Sequence, residues 1–121
     1  MTFIIPPSPF LLDERVFMSL GILKVAAVAR QMGYSPKVLD LSGVRNYMDV
    51  IDDVLKLTPA NSLFAITATT PQFPSVFEIC GRLRAAGHRV MLGGPHPTMV
   101  MSAHKRALER AVMHAQRVLA C

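Results

Sequence analysis

Ser62-Leu63-Phe64-Ala65-Ile66-Thr67 is the stretch on which the fold turns. Its interior is apolar at consecutive positions, so neither face suits water, as in a strand with helices above and below it. Such a strand belongs to a parallel sheet made of strand-helix units. Matching units are therefore expected on both sides of it.

Upstream, Lys37-Val38-Leu39-Asp40-Leu41 reads as a strand. Tyr47, Val50, Ile51 and Val54 follow at i, i+3, i+4, i+7, with Asp49, Asp52, Asp53 and Lys56 on the other side, which predicts an amphipathic helix. Further back, Phe3-Ile4-Ile5 is a short apolar strand closed by Pro6-Pro7-Ser8-Pro9. A helix is then predicted from an N-cap at Asp13 to Met32, with Val16, Leu20, Leu23 and Ala27 facing the core and Gly33 as its stop.

Downstream, Pro74 opens a helix whose Val76, Ile79, Cys80 and Leu83 face the core and which Gly87 ends. Arg89-Val90-Met91-Leu92 is the fourth strand, and Gly93-Gly94-Pro95-His96-Pro97 reads as the loop after it. Thr98 is then the expected cap of a long last helix reaching about Leu119, with Lys105, Arg106, Arg110 and Arg117 exposed.

Four strand-helix units with short links imply right-handed crossovers and an α/β, flavodoxin-like (Rossmann-like) open parallel sheet of order 2-1-3-4. At 121 residues, 51% hydrophobic and 17% charged, residues 1–121 form a single domain with one core, which excludes a disordered chain. Sheets of this type commonly carry a fifth strand, and none follows the last helix. The expectation is a piece of a longer protein whose fourth strand is a bare edge open to homo-oligomer contact.

No apolar run approaches the length of a membrane span and the first residues lack a basic secretory start, so a cytoplasmic location is expected, with no membrane partner. The two cysteines, Cys80 and Cys121, have no neighbouring partner for zinc or an iron–sulfur cluster. Cys80 reads as core packing, and so do Met18, Met32, Met48, Met91 and Met113. The formal charge of +5 is uneven: residues 82–121 hold seven Lys/Arg against one Glu. That surplus fits either a solvated helix face or a nucleic-acid surface, and the solvated face is the simpler reading.

In an open sheet of this order, ligands bind beyond the carboxyl ends of the strands, where the order reverses between the first and third. Three loops meet there: 6–12, 67–72 and 93–98. Thr67, Thr69 and Thr70 bring hydroxyls. Gly93 and Gly94 either form an ordinary tight turn or let backbone approach a ligand. Phe10-Leu11-Leu12 is an apolar loop that packs under a large flat ligand or into the local core. His96 is a solvated loop residue, a hydrogen-bonding partner of a ligand, or a metal ligand.

The absences narrow the chemistry. GxGxxG and GxxxxGK[ST] do not occur, nor does a Thr-rich phosphate loop after the first strand. The third strand ends in Thr67-Ala68-Thr69 where a phosphorelay receiver needs Asp. There is no HExxH pair, no nucleophile with a matching base, and Asp13-Glu14 suit a helix start better than catalysis. No catalytic residue and no protein-borne metal ligand is expected.

Pro6-Pro7-Ser8-Pro9-Phe10, Leu20-Gly21-Ile22-Leu23, Met32-Gly33-Tyr34, Val38-Leu39-Asp40 and, above all, Gly93-Gly94-Pro95-His96-Pro97-Thr98 follow one another in this order. The chain thereby resembles, over nearly its whole length, the N-terminal cobalamin-binding-type domain of radical S-adenosylmethionine enzymes. The resemblance implies a corrinoid across the strand ends, with its apolar edge against Phe10, Leu11 and Leu12 and with Pro7, Ser8, Pro95 and His96 among the residues that would bind it. Thr67, Thr69 and Thr70 would line the path of its nucleotide tail, and Gly93 and Gly94 would let backbone approach it. The Asp-x-His-x-x-Gly motif of methionine-synthase-like domains is absent, so no histidine from the first loop would reach cobalt. The Cys-x-x-x-Cys-x-x-Cys that holds a [4Fe–4S] cluster is also absent, so the cluster and S-adenosylmethionine would belong to a downstream radical domain. Two other readings stand beside this one: a cofactor-free α/β interaction domain, and nucleic-acid binding through the basic last helix.

Overall fold

The computed structural model describes residues 1–8 and 20–120, of which the side chains of Ala115 and residues 117–120 are not described. Helix and strand alternate along it. Strand β1 (Thr2–Ile5) precedes helix α1 (Leu20–Gln31), β2 (Lys37–Asp40), α2 (Tyr47–Leu57) and β3 (Leu63–Thr67). A 3-10 turn at Thr70–Gln72 leads into α3 (Phe73–Ala85), then β4 (Arg89–Gly93) and α4 (Pro95–Ala120).

The strands form one four-stranded parallel sheet in the order β2-β1-β3-β4. Ile4 lies level with Leu39 on β2 and Ile66 on β3, and Ile66 with Leu92 on β4. Side chains alternate between faces along each strand, so this row shares one face and Phe3, Ala65 and Met91 share the other. The first face carries the larger core: Ile4, Phe64 and Ile66 pack with Ile51 of α2 and with Val76, Ile79 and Leu83 of α3. On the second face Phe3 and Ala65 meet Ile22, Ala26 and Ala29 of α1. Helices thus cover both faces, which is why β3 buries three consecutive residues.

Three expectations need correction. Leu20, Leu23 and Ala27 of α1 are exposed, and Ile22, Ala26 and Ala29 face the sheet instead. This helix is apolar nearly all round, so period alone does not choose its face; the small Ala26 and Ala29 let it sit close over Phe3 and Ala65. The expected cap at Asp13 and the inward Val16 lie outside the described residues. Second, α4 starts at Pro95, so His96 and Pro97 are helical and Thr98 is not its cap. A proline needs no N–H partner in a first turn and its ring pre-sets the helical φ. Third, Met32 lies just beyond α1, and with Met91 and Met113 it is exposed, while Met48 does pack on the core. Cys80 packs against the core as expected, half-buried. Met91 and Met113 lie exposed because β4 is an edge strand and α4 leaves the body of the molecule.

Candidate functional site

The ends of β1, β3 and β4 meet through backbone and side-chain hydrogen bonds. The Ala68 N–H donates to the Gly93 carbonyl (3.0 Å), and the His96 N–H donates to the Ala68 carbonyl (3.1 Å), which ties the exit of β4 to that of β3. Gln72 ties β3 to β1. Its Nε2 donates to Ser8 Oγ (2.6 Å), and its Oε1 accepts from the Thr69 N–H (3.1 Å) and the Thr69 hydroxyl (3.0 Å). Thr70 Oγ1 and His96 Nδ1 share a hydrogen bond of 3.1 Å, and the His96 ring packs on Phe73 with centroids 4.4 Å apart.

Gly94 explains how the loops come so close. Its φ is +97°, and a Cβ there would stand 2.6 Å from Thr67 Oγ1 and 2.9 Å from the Ala68 N–H nitrogen. No side chain fits at that separation, so only glycine allows β4 to leave against the β3 exit. A Cβ at Gly93 would meet nothing within 4 Å. The two glycines therefore differ: Gly94 is consumed by contact within the protein, and Gly93 leaves open space at the rim.

The sequence-predicted residues divide accordingly. Thr69, Thr70, Gly93 and Pro95 are exposed at the rim, and Thr67, Gly94 and His96 are half-buried beside them. Pro7 and Ser8 are buried, Ser8 as the partner of Gln72. Phe10 and Leu11, with Leu12, lie outside the described residues. Gln72 was missed by sequence reasoning, although Thr69-x-x-Gln72 has the spacing of a capping box, and that is the arrangement it adopts.

The rim offers hydroxyl groups, an imidazole and exposed backbone, and the Thr70 hydroxyl bonded to His96 pairs a hydroxyl with an imidazole. Among the described residues no group of three or more His, Cys, Asp or Glu is placed to hold a metal ion, and no helix is long and apolar enough to cross a membrane. His88 sits at the opposite end of the sheet, where its Nδ1 accepts from the Ser62 N–H (3.1 Å) and its ring meets Phe64 edge-on. That histidine is structural.

No family model, curated protein or solved structure matches the chain.

Proposed function

We propose that this chain is a cobalamin-binding module of a radical S-adenosylmethionine enzyme of the methyltransferase or cyclase type, acting in the cytoplasm. One observation carries the reading. Ser8 to Gln72, Ala68 to Gly93 and Thr70 to His96 bonds join three loops into one lip at the carboxyl ends of the strands, where the strand order reverses. A corrinoid with a nucleotide tail needs a broad platform edged by hydrogen-bonding groups and a place where backbone can approach it. The exposed hydroxyls of Thr69 and Thr70 and the open space at Gly93 suit the tail. When bound, the cofactor would supply a transferable methyl group to a substrate radical formed in a downstream domain carrying the [4Fe–4S] cluster. The chain's own part would be to bind and orient, with no histidine from the first loop on cobalt.

Mixing the protein with hydroxocobalamin and separating it by gel filtration tests this. Corrinoid absorbance should travel with the protein and fall when Thr69 and Thr70 are replaced by Val. Protein free of corrinoid colour would overturn the reading.

The second reading, a cofactor-free interaction domain, is favoured by a separate observation. Every described residue of α4 from Thr98 to His114 is exposed, although its sequence is amphipathic.

A further inference from the structure

Helix α4 bears an apolar stripe that nothing in the described chain covers. Met101, Leu108 and Val112 recur at i, i+7 and i+11 on one side, with Lys105 at its margin, and are 66%, 53% and 51% exposed, while Arg106 and Arg110 occupy the opposite side beside Met99 and Met113. The Met101–Val112 side can lie against an apolar surface while both arginines stay in water. The root of α4 is short and tightly held. A single residue, Gly94, links β4 to α4, and the bond from the His96 N–H to the Ala68 carbonyl holds the first turn in place.

A second bare apolar surface lies beside that root. Leu92 shares the face of Ile66 yet is 37% exposed, and Phe77 of α3 is 70% exposed. Phe77 neighbours Phe73, whose ring packs on His96 in the first turn of α4. This is the flank that a helix following β4 covers in a sheet with helices on both faces.

We infer that two copies of this chain form a symmetric dimer in which the apolar stripe of each α4 lies on the Phe77–Leu92 flank of the other. Each copy carries one helix without a surface and one surface without a helix, so a twofold arrangement satisfies both at once, and a connection too short to bend favours exchange over self-closure. The area agrees. The chain exposes 8695 Å², against about 6,500 Å² for a compact 13.3 kDa monomer, and the excess of about 2,200 Å² is above the roughly 800 Å² that each partner of a standard interface buries. The inference stands whether or not a corrinoid binds.

Gel filtration with light scattering tests it on the full chain. The expected mass is twice the 13.3 kDa of one chain. Leu108→Asp on α4 and Phe77→Asp on α3 should each weaken the dimer by roughly 30-fold or more. Both residues are exposed, so each variant should keep the far-ultraviolet circular dichroism of β1–β4 and α1–α3 packed together. A monomeric wild-type chain would overturn the proposal. So would a dimer that Leu108→Asp breaks and Phe77→Asp leaves intact, because α4 would then pair with α4 or with another surface.

Discussion

Replacing Gly94 by Ala is the sharpest test of how the rim is built. Two costs act together at this position. With φ at +97°, any side chain is held in the left-handed region, which costs about 1–2 kcal/mol. The new methyl would also stand 2.6 Å from Thr67 Oγ1 and 2.9 Å from the Ala68 nitrogen, and overpacking of this kind adds roughly 1–3 kcal/mol. The expected loss is therefore about 2–5 kcal/mol in urea unfolding, or roughly 4 °C of melting temperature per kcal/mol for a domain of this size. Two neighbouring substitutions act as controls. Gly87 also has a positive φ, +83°, but a Cβ there meets nothing within 4 Å, so Gly87→Ala should show the backbone cost of about 1–2 kcal/mol alone. Gly93 lies outside the left-handed region in open space, so Gly93→Ala should change stability by less than about 0.5 kcal/mol. Thr67→Ala removes the nearer of the two contacts, and in a double-mutant cycle it should recover about 1 kcal/mol of the Gly94→Ala loss. If Gly94→Ala costs no more than Gly87→Ala, or if Thr67→Ala shows no coupling to it, the close approach of the β4 exit to the β3 exit is refuted.

Gln72→Ala should destabilise the fold by roughly 1–3 kcal/mol in urea titration, because Ser8, which is buried, loses a partner and the Thr69 N–H loses its cap. A loss no larger than that of an ordinary surface substitution would show that the bridge from β1 to β3 carries nothing. Stability should also fall in alkali. Burial pushes the Cys80 thiol above its ordinary 9.0, against a smaller lowering by Arg84. Tyr47 is raised above 10.0: its hydrogen bond with Ser75 lowers it, and burial and Glu78 together outweigh that. Both groups are raised in the folded state, so their contribution is complete below the unfolded value and fades as pH climbs through the folded one. Urea midpoints should hold steady up to about pH 9 and drop above it, and Cys80→Ser should remove the first part of the drop. A midpoint unchanged through pH 10 would contradict the assigned burial of Cys80.

The elements and their order were legible because the signals that mark them are local. Proline and glycine punctuate the chain, and apolar residues run consecutively in β1 and recur with the period of a helix in α2 and α3. The consecutive apolar run at Leu63 to Ile66 required cover on both faces, and with four strand-helix units that left few topologies open. Convergence of three loops at the reversal of strand order followed from topology alone.

What tertiary structure decided was every choice between locally equal options. On α1, Leu20 and Ile22 are equally apolar, and only the fit of Ala26 and Ala29 over Phe3 and Ala65 turned Ile22 inward. At the rim, Gly93 and Gly94 look alike in sequence, and only the nearness of Thr67 makes one indispensable and leaves the other in open space. The bond between Gln72 and Ser8 spans 64 positions and belongs to no local pattern. Periodicity and punctuation act over a few residues, whereas packing and long-range hydrogen bonds depend on which surfaces the folded chain brings together.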